Sequence, residues 1–165
     1  MESPRFALES RAFGDGERIP AVHTLEGLNL SPPLQWSGEP PGTRSLALVM
    51  DDPDAPAGLW QHWLLFNIPA SLHALPAGLE RSPELANGCR QGQCWGMERF
   101  ERLGYQGPQP PPGRVHHYRF SLHALDRPLQ LAAGCSVFDL ERAIAGHALA
   151  TATLIGVYAA SEPPH

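Results

Sequence analysis

Four side chains could together form an anion-binding pocket. Each lies within, or at the end of, a series of alternating apolar residues. They are Asp52, His62, His116 and Tyr118. Imidazole and phenol groups donate hydrogen bonds to anionic oxygens, and a carboxylate orients an imidazole by accepting one from it. Such a site would bind small anions, and binding should strengthen as the pH falls through the range in which histidine gains its proton.

The segment Val115–Leu125 predicts a strand whose alternate residues share one face. His116 and Tyr118 begin its apolar row, which continues with Phe120, Leu122 and Ala124. The other row is polar and consists of His117, Arg119, Ser121 and His123. We therefore expect His116 to point toward the core, and His117 and His123 to lie on the surface.

Two further strands each bring one ionisable side chain to an apolar row. Asp52 ends the row of the strand 45–52 that contains Leu46, Leu48 and Met50. In the strand 60–68, His62 is predicted to share a face with Trp60, Leu64, Phe66 and Ile68. A buried carboxylate costs several kcal/mol unless it is paired. Asp52 thus needs a partner, and the two histidines are the candidates.

The turn after the first of these strands is predicted to be rigid. Its sequence is Asp51-Asp52-Pro53-Asp54-Ala55-Pro56, and two prolines cannot continue a hydrogen-bonded ladder. The turn would present Asp52 and Asp54 from a fixed backbone. Asp54 has a second interpretation, in which its carboxylate only caps its own turn.

The remaining pattern favours an all-β fold with a minor helix. A fourth strand is predicted at 151–159 and shorter strands at 5–9 and 34–36. One helix should begin at Ser136, which forms a capping box with Asp139, and run to Ala150 before the last strand. We expect a single domain, 1–165, built as an antiparallel β-sandwich with Greek-key crossings.

Charge and composition exclude several function classes. The net charge is −5 and the 12 basic residues are dispersed, so nucleic acid is not an expected partner. No run of about 18 apolar residues spans a membrane, and the start of the chain does not read as a signal peptide. We expect a cytoplasmic protein. The odd cysteine count argues against a disulfide framework and predicts reduced thiols at Cys89, Cys94 and Cys135.

Two ordered motifs resemble those of a known family. The first combines Asp51–Pro56 with His62-Trp63 and Asn67-Ile68-Pro69. The second combines Gly107-Pro108-Gln109-Pro110-Pro111-Pro112-Gly113 with His116–Phe120 and Leu122–Leu125. Together they are similar to the signatures of the phosphatidylethanolamine-binding family. The early stretch from Ile19 to Trp36 and Gly104-Tyr105 resemble its bacterial, Raf-kinase-inhibitor-like branch.

The resemblance implies a β-sandwich with a small cavity that accepts phosphate-like and acetate-like anions. It implies no cofactor and no catalytic residue. It also implies a partner such as a kinase or a protease, and pairing as a homodimer. Carried over by position, the residues that line the cavity are Asp52, Asp54, Pro56, His62, Pro110, Pro111, His116 and Tyr118.

Three other functions remain open at this point. A hydrolase could use an imidazole as general base, although no Gly-x-Ser-x-Gly turn occurs and no Ser or Cys lies on the pocket-facing rows. A metal enzyme could use two histidines and a carboxylate, although no His-Glu-x-x-His motif is present. A regulator of a kinase or protease would act through the loops around residues 80–103 rather than through the pocket.

Overall fold

The computed structural model describes residues 5–56, 58–94 and 102–160. The strands are β1 (Ala7–Glu9), β2 (Leu34–Ser37), β3 (Ser45–Asp52), β4 (Trp60–Pro69), β5 (Ala74–Leu75), β6 (Arg90–Gln91), β7 (Gln93–Cys94), β8 (Arg102–Leu103), β9 (Val115–Leu125) and β10 (Ala148–Ala159). One α-helix, α1 (Val137–Ile144), precedes β10, and a 3₁₀ turn covers Ala21–His23. The expected all-β fold with a single helix is confirmed.

The strands form two main antiparallel sheets that share a core. The five-stranded sheet has the order β10-β9-β3-β4-β6, and the three-stranded sheet has the order β1-β2-β5. Side chains of both sheets pack together between them, including Leu8, Trp36, Leu48, Tyr118 and Phe120. Removal of this apolar surface from water is the main force that holds the two layers together.

The other face of the five-stranded sheet is covered by α1. Val137 and Leu140 of the helix pack against Val49, Leu64 and Phe66 of the sheet. Because β3 lies at the centre of the sheet and is covered on both sides, all eight of its residues are buried. This explains why its sequence is almost continuously apolar rather than alternating.

The predicted start of the helix is confirmed, but its predicted end is wrong. Asp139 N donates to Ser136 Oγ at 3.2 Å and Ser136 N donates to Asp139 Oδ2 at 3.3 Å, which completes the capping box. The helix ends at Ile144 rather than Ala150, because Gly146 takes a positive φ of 81° that a continuing helix does not allow. The chain then turns and β10 already begins at Ala148.

Strand β4 departs from the predicted alternation because it contains two bulges. Leu46 pairs with Ile68 but Leu48 pairs with Leu65, and Met50 pairs with Trp63 but Asp51 pairs with Gln61. Each bulge inserts an extra residue and reverses the alternation of faces. The predicted row is therefore wrong: Leu64 and Phe66 face α1, whereas Trp63, Leu65 and Ile68 face the other sheet.

The segment that carries Cys89 and Cys94 forms two short strands. Arg90–Gln91 joins the edge of the five-stranded sheet beside β4, and Gln93–Cys94 pairs with β8. All three cysteines are buried, and burial raises the pKa of both Cys89 and Cys135 to about 11. Residues 95–101, within the loops proposed for a regulatory contact, lie outside the described residues.

Candidate functional site

A buried acid–imidazole pair forms the centre of the site. His116 Nδ1 lies 2.7 Å from Asp52 Oδ2, and the two side chains are 3% and 5% exposed. β3 and β9 are adjacent antiparallel strands, so the last residue of one apolar row meets the first residue of the other. The sequence expectation that Asp52 requires an imidazole partner agrees with this geometry, and the partner is His116.

The turn after β3 fixes the second oxygen of Asp52. Asp54 N donates to Asp52 Oδ1 at 2.8 Å, an arrangement in which the Asp side chain closes its own turn. Both carboxylate oxygens of Asp52 are therefore occupied by donors, one from the backbone and one from an imidazole. This leaves the carboxylate no rotational freedom, and it holds the His116 ring in one orientation.

A second acid–imidazole pair lies on the solvent side of the first. Asp54 Oδ2 accepts from both the backbone N–H of His117 at 2.7 Å and from its Nδ1 at 2.8 Å. The two side chains are 42% and 57% exposed. These two hydrogen bonds lower the pKa of Asp54. Asp54 thus anchors the turn to β9, a role that neither sequence interpretation of this residue included.

His62 reaches the site because it is the extra residue of a bulge in β4. Its Nδ1 lies 2.6 Å from the backbone oxygen of Gln106, and its ring contacts Tyr118 edge-on with a centroid distance of 5.2 Å. A carbonyl oxygen only accepts, so Nδ1 must carry the hydrogen. Burial lowers the pKa of His62, although the bond to Gln106 and the charge of Asp52 oppose the shift.

Tyr118 lies between the two imidazoles. Its ring is 6.4 Å from that of His116 at an interplanar angle of 24°, and 5.2 Å from that of His62 at 79°. Burial and the neighbouring Asp52 raise the pKa of Tyr118. The hydroxyl is therefore a neutral group that donates a hydrogen bond across the whole physiological range.

The backbone oxygen that holds His62 is itself fixed by contacts from distant segments. Gly107 N donates to Asn29 Oδ1 at 2.7 Å, and Asn29 takes a positive φ of 57° to reach it. The side chain of Arg81 donates to the backbone oxygens of Tyr105 and Asn29. A side chain at Gly107 would clash with the backbone of His23 at 2.3 Å. These contacts make the loop 105–108 a rigid support for His62.

The structure brings five of the eight predicted site residues together: Asp52, Asp54, His62, His116 and Tyr118. Pro56 lies exposed in the turn after β3. Pro110 is buried and Pro111 is exposed in the loop that leads into β9. The role of the three prolines in ligand binding stays a prediction that rests on the family resemblance.

Two participants were missed by the sequence analysis. Gln106 acts through its backbone oxygen, which no residue type signals, and it lies 44 positions from His62. His117 was expected on the surface, where it does lie, but its contact with Asp54 was not expected.

On the opposite face of β3, Arg119 pairs with Asp51 through two bonds of 3.0 and 3.1 Å. That guanidinium is thus engaged away from the site.

No group of three or more His, Cys, Asp and Glu side chains in the described part of the chain is arranged to hold a metal ion. Within the same residues, no helix has the length and apolar character needed to cross a membrane.

Comparison with known proteins places this geometry in a family. The family model for phosphatidylethanolamine-binding protein matches residues 9–159. The UPF0098 protein of Methanothermobacter thermautotrophicus is 46% identical over 151 residues, which cover 92% of this chain and 97% of the relative. A Mycobacterium tuberculosis protein provisionally named lipoprotein LppC is 40% identical over 157 residues, covering 92% of this chain and 71% of its own.

A solved structure agrees with the sequence matches. The crystal structure of E. coli YbcL, described as a new member of the mammalian PEBP family, superposes with a TM-score of 0.84 at 34% identity. The alignment covers 94% of this chain and 99% of YbcL. Both the sequence motifs and the whole fold are thus shared, and the chain belongs to the phosphatidylethanolamine-binding protein family.

Proposed function

We propose that this protein is a non-catalytic binder of small phosphate-like or carboxylate anions, held between Asp52, His62, His116 and Tyr118. One observation carries the proposal: both imidazoles use Nδ1 for contacts inside the protein. Their Nε2 atoms are thereby left for a ligand, and both rings lie beside the ring of Tyr118, at 5.2 and 6.4 Å between centroids. A few polar groups held beside one another are typical of a binding site that orients its ligand.

The charges around the site support weak binding that depends on pH. The guanidinium of Arg119 is engaged by Asp51, and that of Arg81 is engaged by backbone oxygens. Attraction for an anion would come from the hydroxyl of Tyr118 and from a protonated imidazole. We therefore expect affinity to rise as the pH falls.

A titration with inorganic phosphate at pH 5.5 and pH 7.5 tests this function. We expect tighter binding at the lower pH, and loss of binding in His116→Gln. His123→Gln is the matched control, since His123 lies on the same strand but bonds Thr151 on the opposite face. Equal affinity at the two pH values, or binding that survives His116→Gln, would contradict the proposal.

A hydrolase is the second candidate, because a carboxylate that orients an imidazole is also the arrangement of a general base. Assays with activated carboxylic and phosphoric esters separate the two functions. Turnover above the background rate that is lost in His116→Gln but retained in His123→Gln would favour the enzyme. Absence of turnover under conditions that give phosphate binding would favour the non-catalytic binder.

Partners and location complete the proposal. We propose a cytoplasmic protein with no nucleic-acid partner and no membrane insertion, which pairs as a homodimer and modulates a kinase or a protease. A pull-down with a variant of the loops at 80–94 and with His62→Ala tests the modulator role. Loss of capture in the loop variant alone supports a protein contact outside the anion site, and loss in His62→Ala alone supports the site itself.

A further inference from the structure

The direction of one hydrogen bond determines what His62 offers to a ligand. His62 Nδ1 must donate, because the atom opposite it is the backbone oxygen of Gln106 at 2.6 Å. In the neutral ring, Nε2 then carries a lone pair and accepts a hydrogen bond rather than donating one. Both histidines were expected to donate to the ligand, and for a neutral His62 ring this polarity is reversed.

The surroundings of His62 favour the neutral ring. Burial is the largest influence and lowers its pKa. The charged groups that face the ring are Asp52 from β3 and His116 from β9, with Asp51 acting from the opposite face of β3. The two carboxylates raise the pKa of His62 and His116 lowers it. The pKa of His62 still lies below the ordinary histidine value. Tyr118 faces the ring as a neutral group.

The Nε2 atoms of both rings and the Tyr118 hydroxyl take no part in the hydrogen bonds that hold the two imidazoles among the described residues. In this part of the chain, the fully buried side-chain atoms without a hydrogen bond are Gln61 Oε1 and His147 Nδ1. None of the three site atoms belongs to that set. The site offers an acceptor at His62, a donor at Tyr118, and a second donor at His116 when that ring is protonated.

We propose that the ligand of this site is an oxyacid that keeps one acidic hydroxyl, such as the monoanion of a phosphoric monoester or a phosphonic acid, and that it donates this hydrogen to His62 Nε2. The inference rests on the proposed anion-binding function and specifies its ligand. A fully deprotonated oxyanion would bring its lone pairs against that of His62. A buried acceptor that meets no donor loses most of the binding gain.

Two anions of equal charge and nearly equal shape separate the hydroxyl from the charge. At pH 6 methylphosphonate and dimethylphosphinate both carry one negative charge, and they differ by one hydroxyl in place of one methyl group. We expect methylphosphonate to bind at least about tenfold more tightly, the effect of one charge-assisted hydrogen bond. Equal binding of the two anions overturns the ligand inference and leaves anion binding standing. Binding of neither overturns the proposed function itself.

A variant of His62 tests the accepting atom. Asparagine in His62→Asn retains an N–H group for the Gln106 oxygen but has no counterpart of Nε2. We expect its preference for methylphosphonate over dimethylphosphinate to fall toward one, whereas the control His123→Asn keeps the wild-type ratio. A folded His62→Asn that keeps the full preference overturns the assignment to His62.

A measurement on the unmodified protein guards against a variant that does not fold. The ¹⁵N shift of His62 Nε2 distinguishes the neutral ring from the imidazolium ion. We expect His62 to stay neutral, and hydrogen-bonded at Nε2, when the protein is saturated with methylphosphonate at pH 6. Conversion of His62 to the imidazolium ion in that complex would overturn the proposal, because the ring would then be the donor.

Discussion

The two acid–imidazole pairs at the site have the same chemistry but opposite surroundings. The Asp52–His116 contact is 2.7 Å and the Asp54–His117 contact is 2.8 Å. The two aspartates lie two positions apart in the sequence, and the two histidines are adjacent. The first pair is almost completely buried, whereas both members of the second are more than 40% exposed. Distance alone therefore does not rank these contacts. Burial sets the cost of leaving one partner alone, and it suits one pair to a binding site and the other to a surface anchor.

The largest expected effect is on stability when one carboxylate is removed from each pair. Asp52→Ala should lower the free energy of unfolding by about 3 kcal/mol, since it leaves the buried His116 and the turn N–H without an acceptor. Asp54→Ala should cost less than about 1 kcal/mol, because water solvates His117 in its place. Chemical denaturation at pH 7 measures both. Equal losses would show that burial does not distinguish the pairs.

Double-mutant cycles at low and high salt should distinguish the two pairs by their coupling energies. The coupling of Asp52 with His116 should be about 2 kcal/mol and change little between low and high salt, because the pair is out of reach of mobile ions. The coupling of Asp54 with His117 should be about 0.5 kcal/mol and vanish at high salt. A buried coupling that disappears in salt would mean that solvent penetrates the site.

The pH dependence of stability should reveal His62, a buried imidazole whose hydrogen bond goes to a backbone oxygen rather than to a carboxylate. Its pKa is lowered in the folded state, so between that value and the unfolded pKa of about 6.5 the unfolded chain binds more protons. Wild-type stability should therefore decline as the pH falls below about 6.5. His62→Asn should flatten the decline, and His123→Asn should flatten it too, because burial also lowers the pKa of His123.

The flattening is read from denaturation curves between pH 7.5 and pH 5. A His62→Asn curve that is parallel to that of the wild type throughout this range would place the proton uptake on other groups.

The smallest expected effect belongs to the exposed pair at acid pH. The pKa of Asp54 is lowered in the folded state by its bonds to His117. Its contribution to stability is complete above the unfolded value of about 3.9 and is lost as the pH falls through the lower folded value. Asp54→Asn should thus converge with the wild type once the pH is below the lowered folded pKa of Asp54. A stability difference that persists at lower pH would indicate a contribution other than ionisation.

Regular alternation and local caps were enough to predict several parts of the site from the sequence. β9 is regular over its whole length, so its parity correctly placed His116 and Tyr118 inside and His117 outside. The apolar row of β3 ended at Asp52, and the cost of a buried carboxylate required a partner for it. Ser136 and Asp139 marked the start of α1, since a capping box involves only residues three positions apart.

The placement of His62 and the polarity of its ring depend instead on contacts between distant segments. The bulges of β4 arise from its register against β3, and register depends on contacts between strands rather than on the local sequence. The sequence predicted that His62 lies near Asp52 and His116, but from an incorrect row, because the two bulges change which residues of β4 share a face. Its hydrogen comes to lie on Nδ1 because the Gln106 backbone oxygen is brought to it by Asn29 and Gly107. Every residue carries a backbone oxygen, so no pattern of side chains could have predicted that contact.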